Sequence, residues 1–522
     1  MIPEWAKGAI FYQIFPDRFC NGDRENDVKT GEYSYTPGGS VRRVEDWNSL
    51  PQEVDVHRFF GGDLQGVWDK LDYLKELGVE VILFNPIFRS RSNHKYDTTD
   101  YYCIDPHLAS KRAPGQTQDR DLTPNEYFAY FVRAVHDAGM KLVLDGVFNH
   151  CGIDSAWTAD PERAEYFTRE KNGGFESWWG VETLPKLNYD GSRRLWNEIL
   201  EAAEFWVSEP YLCDGWRLDV AADLGHTPQT NHAFWKEFIT RVKSANPNAI
   251  VFAEHYGNPR EWLADGEWDS VMNYDGFMDP VSGFFTGVDK HCDYECSDLL
   301  ANAEAFANSL RLGREGFPSE DSYLAAINQL DNHDHARYIT RTAGRAGRLA
   351  TQGSEAASRG VRYDVLLSSV VFQMTWPGAP TLYYGDETAV PGWTDPDNRR
   401  TYPWGHENYE IIDFYKNIIR LHKSSTALRT GECSVLRSSD GVFAFCRKKD
   451  DEQYIIIINR SESEKDFAIN PAEYGLFSGG AVRVFSTSDG YSVGNREVEL
   501  SSGILKTKLK PVSSKVIKLI KG

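Results

Sequence analysis

The run Gly215-Trp216-Arg217-Leu218-Asp219-Val220 alternates apolar and charged residues, the period-two pattern of a strand. That spacing sends Trp216, Leu218 and Val220 to one face and Arg217 with Asp219 to the other. A guanidinium beside a carboxylate favours the charged form, so the pair predicts an ionised, immobilised Asp219. A glycosidase nucleophile needs that state. A strand-end ion pair with a purely structural role would look the same, so the rest of the chain has to decide.

Other strand-like runs end in residues of the same kind. Asp145, Asn149 and His150 close the run that starts at Lys141, Glu254 follows Ile250–Ala253, and His333 with Asp334 follows Ala325–Leu330. Three acids (Asp219, Glu254 and Asp334) with histidines and an arginine, and no Ser or Cys nucleophile among them, point to cleavage of glycosidic bonds. Retaining hydrolysis uses one carboxylate as nucleophile and one protonated carboxylic acid, about 5–5.5 Å apart. Glu254, behind an apolar run and near other carboxylates, is expected to have a raised pKa and to serve as the acid. Asp334 is expected to bind sugar hydroxyls and to favour the distorted ring of the transition state.

These residues need a scaffold that brings many strand ends to one rim. Strands are predicted at Ile10–Phe15, Val79–Pro86, Lys141–His150, Gly215–Val220, Ile250–Glu254, Ser270–Tyr274, Ala325–Leu330 and Thr381–Glu387. Helices are predicted at Val67–Leu77, Pro124–Ala138, Leu195–Ser208, His232–Ala245 and Tyr363–Trp376, and His94–Tyr101 reads as a loop. Strands alternating with helices imply a parallel sheet, and eight units favour an α/β closed (β/α)8 TIM barrel, whose sites form at the C-terminal strand ends. Residues 1–150 and 196–425 are assigned to that barrel. Residues 151–195, rich in Trp, Phe and Gly, are too long for a simple loop and read as an inserted excursion domain after the third strand. From 426 to 522 short strands separated by Gly, Ser and Asp read as a C-terminal antiparallel β-sandwich.

The formal charge of −20 disfavours nucleic acid or an anionic membrane as partner. Fifteen Trp and twenty-six Tyr suit the apolar faces of sugar rings, although most must be core. The N-terminus lacks a basic start and apolar run, and the eight cysteines show no metal-ligand spacing, so free thiols in the cytoplasm are expected. The loop Cys20–Asp27, with Asn21, Asp23, Asn26 and Asp27, is dense in the hard oxygen ligands calcium takes, but Asx-rich turns also arise for backbone reasons alone.

The runs Asp145–His150, Gly215–Asp223, Phe252–His255 and Leu330–Asp334, with Leu184-Pro185-Lys186-Leu187-Asn188 in the insertion, resemble the motifs of the α-amylase family, glycoside hydrolase family thirteen. The resemblance implies that Asp219 is the nucleophile, Glu254 the acid/base and Asp334 the transition-state stabiliser. His150, Arg217, His333 and Tyr96 would line the subsite of the sugar being cleaved. Pro185–Asn188, His94–Asp97 and Asp395–Arg400 look most like the neopullulanase, cyclomaltodextrinase and maltogenic amylase subgroup. On that likeness His94 joins the substrate contacts, Asp395 and Arg399 serve the non-reducing side, and Tyr256 forms an acceptor-side platform. The subgroup also implies a structural Ca2+ held by Asn21, Asp23, Asn26, Asp27, Asp63 and the Gly61 carbonyl.

This sequence departs from the subgroup in three places. The barrel is expected to start almost at Met1, without the subgroup's N-terminal β-domain, so a monomer or weak homodimer with an open cleft is expected. Ala222-Asp223 stand where the subgroup has Asn-Glu near the acceptor subsites, which bears on the balance between hydrolysis and transfer, and His255-Tyr256 replaces Ile-Trp after the acid. The expected activity is retaining hydrolysis of α-1,4 bonds in maltooligosaccharides, with cyclodextrins, pullulan and starch as further candidate substrates. A transglycosylating or α-1,6-specific member is the close alternative, and a non-catalytic sugar- or protein-binding barrel the remote one.

Overall fold

The computed structural model describes residues 1–35, 39–115, 120–488 and 490–522. The chain divides into two compact units: Met1–Glu4, Phe11–Met272 and Arg399–Gly405 form the first, and Trp5–Ile10, Asn273–Asn398 and His406–Gly522 the second.

In the first unit six strands pair in chain order, every pair parallel: β1 (Phe11–Ile14), β2 (Val81–Phe84), β3 (Lys141–Gly146), β4 (Gly215–Leu218), β5 (Ile250–Ala253) and β6 (Ser270–Val271). All their residues but Lys141 are buried, as strands covered on both faces must be. The register puts Arg217 beside Asp145 and Phe252, and Leu218 beside Gly146 and Ala253. Asp219 and Glu254 follow directly on the ends of β4 and β5, their N–H groups donating to Gly146 O (3.1 Å) and Leu218 O (2.9 Å).

The helices between these strands begin where local chemistry says they should. Thr123 and Glu126 form a capping box ahead of Pro124–Asp137, Ser192 caps Arg193–Val207, and Thr227 caps Pro228–Ala245 with Pro228 in the first turn. The last starts four residues earlier than the apolar pattern alone indicates, because the Thr-Pro start is a capping signal rather than a periodic one.

Two expectations fail in this unit. The helix read as Val67–Leu77 is two helices, Leu64–Asp69 and Leu71–Leu77, broken at Lys70 (φ −106°, ψ 7°). The Lys70 ammonium sits 3.9 Å from the centre of the Trp404 ring, a cation–π contact made at the break. The supposed loop His94–Tyr101 runs into a strand, Thr98–Ile104, paired antiparallel with Phe88–Ser90. Its Thr, Tyr and Ile residues suit a strand, but the two Asx residues within His94–Tyr101 masked that preference.

In the second unit β7 (Ile327–Gln329) and β8 (Ala379–Tyr383) form a parallel pair, linked through the helix Tyr363–Thr375. With the six strands above and their helices, these are the eight parallel strands of a (β/α)8 barrel. The unit continues into two antiparallel sheets, one of six strands and one of three. Ile455 and Ile457 of the larger sheet and Phe467, Leu505 and Leu509 of the smaller share one core, while Phe443 and Phe445 on the opposite face meet Phe372 and Trp376. Burial on both faces explains the unbroken Ile455-Ile456-Ile457-Ile458 run. All eight cysteines are free thiols. Among the described residues no helix is long and apolar enough to cross a membrane.

Candidate active site

Arg217 is the centre of the first unit's polar cluster. It is buried, and its Nη1 donates to Oδ1 and Oδ2 of Asp145 at 2.8 and 3.0 Å and to Oδ1 of Asp219 at 2.9 Å. Its Nη2 lies 2.9 Å from Oε2 of Glu254, an ion pair without hydrogen-bond alignment. Glu254 Oε2 instead accepts a directed bond from the Val220 N–H at 2.9 Å, and the Tyr256 hydroxyl stands 3.5 Å from Oε1. One guanidinium thus gathers three carboxylates from the ends of β3, β4 and β5. Asp219 and Glu254 are tied to different nitrogens of that group, Nη1 and Nη2.

The electrostatics depart from the simple pairing expected of Arg217 and Asp219. Burial pushes the Asp219 carboxyl well above the usual carboxylate range; the Arg217 guanidinium pulls the other way, and Glu254 and Asp145 push it up again. Asp145 is pushed up to about 6, again by burial first and with Arg217 opposing. One positive charge cannot offset three buried negative ones, so Asp219 and Asp145 hold their protons to higher pH than free carboxylic acids do. Arg217 therefore does not by itself fix Asp219 as the ionised member. The sequence spacing displayed one carboxylate beside the arginine; the register supplies the other two.

The aromatic side of the site hangs on Asp145. Tyr96 donates its hydroxyl to Asp145 Oδ2 at 2.9 Å and accepts from Asn85 Nδ2 at 2.9 Å, while Gln13 Nε2 holds Asn85 Oδ1 at 3.3 Å. The loop carrying Tyr96 turns through Lys95 in left-handed backbone (φ 62°), and the buried Lys95–Asp105 ion pair at 2.8 Å secures it. His94 accepts from the Tyr96 N–H at 3.1 Å, its ring 5.9 Å from that of Tyr96. His150 is buried, its pKa lowered to about 4 by burial, and its Nε2 is 3.1 Å from Tyr96 O, so it is a neutral ring at physiological pH. Trp178 of the inserted segment stacks on it at 5.0 Å. Sequence reasoning missed Asn85, Gln13 and Trp178 as neighbours of the cluster; the adjacent Trp178-Trp179 pair was the only signal for the last.

In the second unit Asp334 is one-third exposed and its Oδ2 lies 3.2 Å from His333 Nε2. Asn332 Oδ1 accepts from the Asp334 N–H at 2.9 Å, Thr394 donates to Asp334 O at 2.6 Å, and Asn398 holds the carbonyls of Asn332 and His335. Asp395 is exposed in this unit, next to the cis peptide bond to Pro396. Arg399, in the first unit, is buried with its guanidinium over the Phe15 ring at 5.3 Å. Tyr256 is 47% exposed, as an acceptor-side platform would have to be.

The Asx loop presents buried oxygens that lack partners. Asn21 Oδ1 and Asn26 Oδ1 are buried without a hydrogen-bond partner, which is costly unless something else fills the position. Gly61, at φ 81°, has no room for a side chain: a Cβ there would stand 2.1 Å from Asp27 Oδ1 and 2.6 Å from Asn21 Nδ2. Asp27 also pairs with Arg43 at 2.7 Å. Asp63 acts as a clasp, receiving the N–H groups of Gly22, Asp23 and Gly66 and the Asn26 amide. Among the described residues no three His, Cys, Asp or Glu side chains gather as a metal site. A hard cation resting on amide, carbonyl and a few carboxylate oxygens fits this set; a transition metal does not.

A buried arginine holding carboxylates at the ends of adjacent barrel strands is the apparatus of a glycoside-cleaving enzyme. Comparison with known proteins agrees. Residues 13–412 match the family model described as alpha amylase, catalytic domain. The chain is 33% identical to a cyclomaltodextrinase of Thermoanaerobacter pseudethanolicus, over 90% of this chain and 73% of that one. It is equally identical, at 33%, to an amylopullulanase of Thermoanaerobacterium thermosulfurigenes, covering 95% of this chain but only 28% of that longer relative. Among solved structures, the debranching enzyme from Nostoc punctiforme superposes with a TM-score of 0.77 at 30% identity, covering 99% of each chain. The chain belongs to the α-amylase family.

Proposed function

We propose that this chain is a retaining α-glucan hydrolase that cleaves α-1,4-glucosidic bonds in maltooligosaccharides, in two displacements. In the first, the Asp219 carboxylate forms a bond to the anomeric carbon as the bond to the leaving oxygen breaks, and Glu254 gives that oxygen its proton. In the second, water attacks the same carbon, Glu254 takes the water's proton, and the ester to Asp219 breaks. Asp334, with His333, stabilises the oxocarbenium-like transition state through the sugar hydroxyls. His94, Tyr96, His150 and Arg217 shape the subsite, Tyr256 serves the acceptor side, and Asp395 and Arg399 the other.

The observation that carries this reading is the sharing of Arg217 by Asp219, Glu254 and Asp145. It supports a cluster in which one acid is ionised while a neighbour holds a proton, the division of labour a retaining pair needs. The relatives named for cyclomaltodextrin, pullulan and debranching activities support testing cyclic and α-1,6-linked substrates as well. Product analysis on maltotriose, cyclodextrin and pullulan decides. Maltose and glucose from the first two support α-1,4 hydrolysis; release of maltotriose alone from pullulan, with the others untouched, overturns it in favour of an α-1,6-specific enzyme.

The same proposal takes the enzyme to act in the cytoplasm as a monomer or weak homodimer. It includes a structural Ca2+ on Asn21, Asp23, Asn26, Asp27 and the Gly61 carbonyl, with Asp63 at least clasping the loop. When bound, the cation would tie the loop to the Gly61-Gly62-Asp63 turn and supply no chemistry.

A further inference from the structure

The inserted segment displays an aromatic surface that folding alone does not account for. Trp179 is 82% exposed, the most exposed large aromatic side chain described. Its backbone is left-handed, φ 50° and ψ 26°, a conformation bulky residues avoid unless the surroundings impose it. The surroundings here are a hydrogen-bonded turn: Trp178 N–H donates to Leu184 O at 2.9 Å, and Leu184 N–H to Val181 O at 2.8 Å. The turn holds the two indoles in a stack, 5.1 Å apart and 23° from parallel. Beneath them, Trp178 lies on His150 at 5.0 Å and 16° and donates its Nε1–H to Asp223 Oδ2 at 3.0 Å.

Three flat rings therefore run outward from the buried His150 beside the carboxylate cluster to an indole standing in water. We infer that Trp179 is a sugar platform: its outward face receives a glucose ring of an α-1,4-glucan beyond the bond-cleaving subsite, and Trp178, anchored by Asp223, sets its position. The apolar C–H face of a glucose ring fits an indole face, and the chain's formal charge of −20 favours a neutral occupant over an anionic one. The stack is continuous with His150, which argues for a length of the same substrate over an unrelated molecule. This inference rests on the α-glucan reading above and adds to it a preference for longer chains.

The test compares Trp179→Ala and Trp179→Phe with the parent enzyme on maltotriose and maltoheptaose. Trp179→Ala is expected to lose about tenfold in kcat/KM on maltoheptaose and less than about twofold on maltotriose, with Trp179→Phe retaining most of the difference. Asp223→Ala is expected to show the same length-dependent loss, and Asp223→Asn, which keeps an acceptor, to show less of it. Equal losses on both substrates, or no loss on either, overturn the inference. So does a Trp179→Ala variant that only dissociates a dimer, read by sedimentation. A parent enzyme that cleaves neither substrate would instead sink the hydrolase reading. Quenching of tryptophan fluorescence by maltoheptaose in an Asp219→Asn background still reads the platform in that case: quenching that Trp179→Ala leaves unchanged overturns it.

Discussion

The backbone N–H of Val220 donates to Oε2 of Glu254 at 2.9 Å, and it does so from left-handed backbone at φ 37° and ψ 46°. A β-branched residue rarely adopts that conformation, whose cost is on the order of 1–3 kcal/mol. The strain falls immediately after the proposed nucleophile and aims a donor at the proposed acid. Replacing Val220 by Gly removes the steric cost but adds a comparable loss of chain entropy, so the Tm should stay within about 3 °C. The acid, however, would be held by a looser peptide. The expected outcome is a fall in kcat of about three- to tenfold with KM little changed. A variant with parental kcat and a lowered Tm would mark Val220 as structural only.

The crowding around Arg217 predicts a stability gain on removing a carboxylate. Asp219 and Asp145 have folded pKa values above their unfolded ones, chiefly through burial. Between the two values the native state holds a proton that the unfolded state has released, so stability falls as pH rises from about 4 through the folded values. Above that window the native protein bears the full cost of the buried charge. Asp219→Asn removes one such charge and should unfold about 2–4 °C higher than the parent at about pH 7.5, with the gap closing toward about pH 4. Activity should be abolished throughout. A variant less stable than the parent at neutral pH would mean that Arg217 stabilises Asp219 more than burial penalises it.

Tyr96→Phe isolates one hydrogen bond. The ring stays, but Asp145 loses the donor at 2.9 Å and Asn85 loses an acceptor. Losing a charge-assisted bond of this kind costs about 1.5–3 kcal/mol. If that cost falls on the placement of Asp145 and Arg217, kcat/KM should drop about tenfold or more, with a smaller change in substrate affinity. Tyr96→Ala, which also removes the ring, should raise KM further. Parental kcat/KM in Tyr96→Phe would contradict a role for the hydroxyl, and equal behaviour of the two variants would contradict a separate role for the ring.

The Asx loop predicts a response to chelation. A cation bound only by the native state stabilises it by mass action, so its removal should lower the Tm, and added calcium should restore it. Asn21→Ala should mimic the chelated protein and abolish the response to calcium. Turnover at 25 °C should change little, since the proposed cation takes no part in the chemistry. An unchanged Tm on chelation would mean that the loop is held by Asp63 and its N–H donors alone.

Asp219 and Glu254 were legible in the sequence because the first closes an alternating run and the second follows an apolar one, both readable as buried strands. Asp219 and Glu254 lie directly past β4 and β5 for that reason. Their electrostatics were not legible. Spacing shows Arg217 next to Asp219 in the chain, but only the parallel register brings Asp145 alongside Arg217 and leaves three carboxylates on one guanidinium. The hairpin of Phe88–Ser90 with Thr98–Ile104 was hidden because polar residues obscured its β-branched and aromatic ones. The stack from His150 to Trp179 joins a strand end to an insertion through contacts that no local pattern encodes.

The central claim is that Asp219 forms the covalent bond to the sugar. The most direct measurement is to trap the intermediate with a 5-fluoro-α-glucosyl fluoride, digest the protein, and locate the added mass. The account predicts a glycosyl ester on the peptide containing Asp219 and no label in Asp219→Asn. Label on another acid, or release of the β-anomer with no label at all, would contradict it.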